Sequence, residues 1–345
     1  MTAMPTRVAV IDKEESNLAE QLAGRLGPAV QVLDATAHQV RDEYVREAQV
    51  LVTEAWLPEP AAAPRLQMIQ LISAGYEHLD PAWLRSAPWP VAHAAGAAAV
   101  PIAEWCLGMM LHFGHRLDDL LARQRARAWP TDRIRQMSAR VLHGRVVGIA
   151  GYGAVGRQVA RLCQAMGMRI CASLGRCGKA QRLTYTTPGT GDPEGRLPDH
   201  WFHLDALADV VGQLDYLILG LRHTPQTHGL INRHLLSRCK PGMVLINPAR
   251  GGLINEADLI EALRSRRLGG AALDTFEHEP LPAQSPLWDA PNVVISPHCA
   301  PESDFFRSEL VRCIAENVMR HIEGRPLLNL IDETRSTACC AGERR

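Results

Sequence analysis

Lysine is almost missing. Lys13, Lys179 and Lys240 are the only three in 345 residues, so arginine carries nearly all the positive charge. That bias reads as genomic and signals no partner. An excess of either charge is missing as well, with 37 Lys and Arg against 37 Asp and Glu. No overall field therefore favours nucleic acid or an acidic membrane. Nine cysteines stand at 106, 163, 171, 177, 239, 299, 313, 339 and 340, yet none forms the C-x-x-C pair of a zinc or redox site. An odd count closes no disulfide framework, so reduced thiols in a cytoplasm and no metal are expected. Arg7, Asp12, Lys13, Glu14 and Glu15 break any apolar run near the start, which argues against a signal peptide. No run is long enough to span a bilayer. The expectation is a soluble, cytoplasmic protein of two domains, because the length exceeds one ordinary core.

What is present is organised around Val146 to Gly156, reading Val-Val-Gly-Ile-Ala-Gly-Tyr-Gly-Ala-Val-Gly. Val146, Val147 and Ile149 make a short buried strand. Gly151, Gly153 and Gly156 follow in G-x-G-x-x-G spacing, and a helical pattern opens at once with Val155, Val159, Ala160 and Leu162. The first glycine suits a tight turn and the second lets a pyrophosphate approach bare backbone. The third lets helix and strand pack closely, leaving the phosphates at the helix N-terminus. Alone such a fingerprint is weak; between strand and helix it is specific for a dinucleotide.

Upstream, strands are expected over Arg7–Asp12, Val30–Leu33, Val50–Thr53, Met68–Ile72 and near Val91. Helices fall over Asn17–Leu26 and around Val40–Ala48, and a loop at Pro58–Pro64. This half reads as a β-α-β domain with a parallel sheet. Ile102 to Leu121 reads as one long helix, apolar over most of its circumference, as for burial between domains or subunits. After the fingerprint come strands at Arg169–Leu174, Tyr216–Leu219, Met243–Asn247, Gly270–Leu273 and Val293–Ile295. A last helix covers Arg307–Glu323. Tyr185 to Pro198, rich in Thr, Gly, Pro and charge, reads as an exposed, mobile insertion. The tail from Ile331 reads as disordered. The fold class expected is α/β, with two Rossmann-like doubly wound parallel sheets.

Three polar islands follow directly on the late strands, where open α/β sheets bind ligands. They are Asn247-Pro248-Ala249-Arg250-Gly251-Gly252, Asp274-Thr275-Phe276-Glu277-His278-Glu279-Pro280 and Ser296-Pro297-His298-Cys299. Hydride transfer between a nicotinamide and a 2-oxo or 2-hydroxy acid needs a cation for the carboxylate and an acid/base for the reacting oxygen. Arg250, with a planar and permanently charged fork, suits the first role. His298 suits the second, and Glu279 on the far ring nitrogen would fix the tautomer and favour imidazolium. Singly, each has a plain reading as surface arginine, turn or loop histidine. Together, on successive strand ends downstream of a nucleotide fingerprint, they point to catalysis.

From about Val8 to Leu330 the chain resembles the D-isomer-specific 2-hydroxyacid dehydrogenases, which include glyoxylate/hydroxypyruvate reductases and phosphoglycerate dehydrogenases. Gly-Tyr-Gly-Ala-Val-Gly, Asn-Pro-Ala-Arg-Gly-Gly, Asp-Thr-Phe-Glu-His-Glu-Pro and Pro-His carry the likeness. The resemblance implies Arg250, Glu279 and His298 as the catalytic triad. It implies cofactor contacts at Gly151, Gly153, Ala154, Val155, Gly156, Arg176, Thr227 and Ala249, with Asp274 holding the nicotinamide carboxamide. Ala74, Gly75 and Tyr76 would meet the substrate, the first two through backbone N–H groups. It also implies a homodimer, a substrate domain of residues 1–98 plus 300–330, and a dinucleotide-binding domain of residues 99–299.

Some residues depart from the pattern. Tyr76 and Glu77 stand where small or branched residues are commoner, and Arg222-His223 replaces a common Pro-Leu before Thr224. Val100-Pro101-x-Ala103-Glu104 is similar to the phosphite dehydrogenase branch, but Ala74 stands where that branch has lysine. A dinucleotide-sensing corepressor on the same fold is the alternative from another class. NAD enzymes of this architecture place Asp or Glu at the end of the second strand, about twenty residues past the fingerprint. Here Leu174 is followed by Gly175 and Arg176. Arg176, aided by Lys179 or Arg222, suits a 2′-phosphate, so NADP is expected over NAD.

Overall fold

The computed structural model describes residues 5–13, 16–174 and 184–331. Arg176 and Lys179, and the tail beyond residue 331, lie outside the described residues. The chain divides into two compact units. One comprises Met1–Ala98, Gln181–Thr187 and Ser303–Arg345; the other comprises Ala99–Ala180 and Pro188–Glu302.

The first unit is built on a five-stranded parallel sheet. Its strands are β1 (Thr6–Ile11), β2 (Val30–Asp34), β3 (Val50–Thr53), β4 (Met68–Leu71) and β5 (Val91–Ala92), in the order β2-β1-β3-β4-β5. Helices α1 (Leu18–Leu26), α2 (His38–Glu47) and α3 (Pro81–Ser86) lie between them, and a 19-residue helix, Asp304–Ile322, returns to this unit. β3 and β4 are buried along their whole length, as parallel strands covered on both faces must be.

The second unit holds a seven-stranded sheet of β6 (Val146–Ala150), β7 (Arg169–Leu174), β8 (His200–His203), β9 (Tyr216–Leu219), β10 (Val244–Asn247), β11 (Gly270–Leu273) and β12 (Val293–Ile295). All its pairings are parallel, in the order β12-β11-β10-β9-β6-β7-β8. Counted from β6, that is the dinucleotide-binding order with one more strand on the edge, and its reversal lies between β6 and β9. The edge strand β8, His-Trp-Phe-His, had no expectation from sequence; it is too short to show a period.

Two readings need correction. The long apolar helix is not continuous. It breaks at Arg116, whose φ of 55° is left-handed, giving α4 (Ala99–His115) and α5 (Leu117–Arg125), with α6 (Arg133–Met137) beyond. Only one stripe of α4, Ala99, Ala103, Cys106, Met110 and Gly114, is fully buried in the chain.

The Tyr185–Pro198 stretch is exposed only in part, at Thr186, Pro188, Gly189, Pro193, Glu194 and Arg196. Tyr185, Thr187 and Asp192 are buried. In the first unit, Tyr185 Oη and Thr187 Oγ1 both donate to Glu309 Oε2, at 2.7 and 2.6 Å, and Tyr185 N donates to Asn329. In the second unit, Asp192 accepts from Tyr152 Oη at 2.6 Å and from the N–H groups of Arg196 and Leu197. Arg157 donates to the Asp192 carbonyl. Burial would raise the Asp192 carboxyl, but the Tyr152 hydroxyl and those N–H groups outweigh it and hold it low. Polar residues that read as solvent-facing are consumed in internal hydrogen bonds.

Candidate active site

The nucleotide fingerprint does locally what its spacing requires. Gly151 has φ +102°, and a Cβ there would collide with the Gly220 carbonyl at the end of β9. A Cβ on Gly156 would collide with the Gly151 carbonyl and lie 3.0 Å from Ile149 Cγ2, so helix and strand are in contact. Gly153 meets nothing within 4 Å. It is the N-cap of α7 (Ala154–Ala165) and supplies no side chain to the helix's first N–H groups. Open space over uncapped N–H groups fits an anionic pyrophosphate. Ala154 and Val155 supply the first turn. Thr227, also expected near the cofactor, uses its hydroxyl to donate to the Arg222 carbonyl (2.7 Å) and accept from Thr224 N (2.9 Å), which folds the loop after β9.

The three islands sit on adjacent strands of the same sheet, just past β10, β11 and β12. Buried Asn247 organises the first: its side chain donates to the Arg250 carbonyl at 2.9 Å and accepts from Ala249 N at 3.1 Å. The Arg250 guanidinium bonds the Ala249 carbonyl at 2.7 Å through Nη1. Next to it Gly251 is packed so tightly that a Cβ would collide with the Phe276 and Glu277 backbone. The arginine island and the glutamate island are thereby held backbone to backbone.

Glu279 bridges its own island and the third. Oε1 accepts from Phe276 N at 2.9 Å, and Oε2 lies 2.7 Å from His298 Nδ1. The Nδ1 contact leaves Nε2 as the ring nitrogen for a reacting group. His298 itself has φ 53°. Asp274, fully buried, holds the loop: Oδ1 accepts from Ser296 Oγ (2.6 Å) and Cys299 N (2.9 Å), and Oδ2 from Ala300 N (3.0 Å). Three of its roughly four acceptor positions are used, leaving capacity on Oδ2 for an amide donor. This clamp, and that of Asn247, were not apparent from sequence; their only signal was a polar residue closing an apolar strand.

In the first unit, the N–H groups of Ala74 and Gly75 donate to no protein acceptor among the described residues. His93 Nδ1 lies 2.8 Å from the Ala74 carbonyl and orients the turn, a role without sequence signal. Tyr76, expected to meet the substrate, is only 6% exposed and packs in the core with Leu79 and Val91, its ring edge-on to His93. Its side chain is spent on packing, so the unusual residue there does not line open space.

The family model for the NAD-binding domain of D-isomer specific 2-hydroxyacid dehydrogenases matches residues 107–300. Glyoxylate/hydroxypyruvate reductase B of Pectobacterium carotovorum subsp. carotovorum (strain PC1) is 29% identical over 271 residues, covering 78% of this chain and 80% of that protein. Among solved structures, a D-isomer specific 2-hydroxyacid dehydrogenase family protein of Aeromonas salmonicida superposes with a TM-score of 0.77 at 28% identity, covering 96% of this chain and all of the other. The NADPH-dependent glyoxylate/hydroxypyruvate reductase of Sinorhizobium meliloti, solved with NADP and sulfate, gives 0.73 at 26% identity, over 95% and 99% of the two chains. With its fingerprint on a sheet of dinucleotide-binding order and its three islands on adjacent strand ends, the chain belongs to the D-isomer-specific 2-hydroxyacid dehydrogenases and is an NAD(P)-dependent oxidoreductase.

Proposed function

We propose that this protein reduces a small 2-oxo acid to the D-2-hydroxy acid, with NADP(H) preferred over NAD(H). The observation that carries the reading is the Glu279–His298 contact of 2.7 Å beside Arg250, on adjacent strand ends past the nucleotide fingerprint. The bound cofactor supplies a hydride. Arg250 pairs with the substrate carboxylate and orients the 2-oxo group. His298, protonated at Nε2, donates to the carbonyl oxygen as it becomes a hydroxyl, and Glu279 holds the ring through Nδ1. Ala74 and Gly75 bring free N–H donors suited to a carboxylate oxygen, and Asp274 has an acceptor left for the carboxamide. The Sinorhizobium neighbour solved with NADP supports the cofactor choice, as does the lack of an acidic residue at Leu174-Gly175-Arg176. A named relative is a glyoxylate/hydroxypyruvate reductase, which supports a two- or three-carbon substrate.

The same reading includes a homodimer in the cytoplasm. Among the described residues, six of the ten large hydrophobic side chains that stand exposed fall between residues 117 and 141, as a subunit interface requires. No helix among the described residues is long and apolar enough to cross a membrane, and the six described cysteines are free thiols.

A panel of 2-oxo acids assayed with NADPH and with NADH, on the parent and on Arg250→Ala, tests the function. Turnover of a small 2-oxo acid with the lower KM for NADPH is expected. The substitution should cost about 3 kcal/mol in the transition state, roughly a hundredfold in kcat/KM. Undiminished reduction by Arg250→Ala, or a parent preferring NADH, refutes the corresponding part.

A further inference from the structure

At the opposite end of the seven-stranded sheet from the triad, where β6, β9, β10 and β11 begin, the second unit contains a recess of about 80 Å³. Strands of four to five residues separate the two ends by about 15 Å, so the recess is not part of the catalytic centre. Glycines make it. Gly242, with φ +79°, has no side chain where a Cβ would lie 3.0 Å from Arg140 Nη1, and the guanidinium rests over that bare backbone. Side chains at Gly269 and Gly270 would collide with the Gly242 carbonyl and the Phe113 ring.

The polar wall is strongly cationic. Arg140 and Arg145 line it, with Lys240 behind. Asp215 is the one carboxylate among the described residues that line it, and it pairs with two of the three. Its Oδ1 takes Lys240 Nζ at 2.7 Å and Arg145 Nη1 at the longer 3.3 Å, and Oδ2 is occupied by Val146 N at 3.0 Å. Arg140 finds no hydrogen-bond acceptor or ion-pair partner for its guanidinium among the described residues. A further donor is the Tyr216 hydroxyl at the start of β9. Burial pushes it up and keeps it protonated, although Arg145 and Arg140 pull the other way. Its one acceptor, the Met110 carbonyl, is 3.4 Å away.

We infer that this recess binds one tetrahedral oxyanion of the phosphate class, between the guanidiniums of Arg140 and Arg145 and the hydroxyl of Tyr216. Two cationic charges stand in excess of the single carboxylate. Donors on separate elements, the segment before β6 and the start of β9, suit a tetrahedral acceptor better than a planar one. A bound anion also ties the residue 140–145 segment to the first residues of β9 and to the Gly242 turn. It therefore stabilises the second unit and performs no chemistry. Free phosphate and the head of a phosphomonoester share this chemistry.

The test uses the full chain saturated with NADPH, so that the pyrophosphate site is filled. Inorganic phosphate, glycerol 3-phosphate and acetate are titrated by calorimetry and by thermal unfolding, with sodium chloride at matched ionic strength as the control. Phosphate is expected to bind once per chain and to raise the Tm. Arg140→Gln, at the end of the segment assigned to the dimer contact, should weaken that binding by about tenfold or more while leaving kcat and the parent's sedimentation unchanged. Glycerol 3-phosphate binding as phosphate does identifies a phosphomonoester site, and binding of phosphate alone identifies a free-ion site. Dependence on Arg140 separates the recess from any anion held by Arg250. Phosphate binding that Arg140→Gln leaves untouched, or a Tm rise that chloride or acetate reproduces, overturns the inference.

Discussion

His298 occupies left-handed backbone, a conformation that costs a non-glycine residue about 1 kcal/mol or more. The cost is met by over-determination: its N–H lies 2.9 Å from the Asp274 carbonyl, and the Asp274 carboxylate pins the residues on either side. The imidazole is thus aimed by backbone, and Glu279 has only to fix its rotation and charge. In the proposed reduction His298 gives up a proton from Nε2 while Glu279 holds the ring at Nδ1. Glu279→Gln keeps the shape of that contact while removing its charge. The reductive kcat should then fall by about tenfold or more, with the KM for the 2-oxo acid little changed, read from steady-state rates. An unchanged kcat would take Glu279 out of this role and leave it as a spacer.

Sequence and structure agree best for elements buried on both faces. β6, β9 and β10, read as Val-Val-Gly-Ile-Ala, Tyr-Leu-Ile-Leu and Val-Leu-Ile-Asn, are continuous apolar runs because parallel strands have no wet side. The residues proposed as the triad stood out for the same reason: polar residues that end such runs emerge at one edge of the sheet. What was not legible depends on partners far along the chain. Asp274 bonds residues 22 to 26 positions later, and Tyr185 bonds Glu309 across 124 positions. Composition around Tyr185 therefore read as solvent-exposed, although its hydroxyl is one of two feeding a carboxylate that is 2% exposed. Tyr185→Phe keeps the ring in the core and leaves Glu309 Oε2 with Thr187 alone. Urea unfolding should show the first unit about 1–2 kcal/mol less stable, while Tyr44→Phe, at a half-buried tyrosine whose hydroxyl bonds no protein group among the described residues, serves as the control. No loss at Tyr185 would mean that Thr187 satisfies Glu309 Oε2 unaided.

At the scale of the whole molecule, the exposed apolar side chains decide what surrounds a single chain. Trp129 is 85% exposed and Ile134 76%, and Leu117, Leu120, Leu121 and Val141 accompany them on the segment that follows the break at Arg116. A monomer in water gains nothing from such a cluster, since each large apolar side chain left wet forgoes about 1.5–3 kcal/mol of burial. Net charge gives no compensating repulsion between copies, because acidic and basic residues are equal in number. Two copies meeting through this segment would bury it symmetrically, as closed homodimers do. Leu121→Glu places a charge in the middle of that surface, where burial without a partner is costly, and the exposed position leaves the fold of the chain untouched. Sedimentation should therefore take the parent as a dimer and the variant as one chain of 37.9 kDa. A parent sedimenting as one chain would remove the dimer, and a variant that remains dimeric would move the interface off residues 117–141.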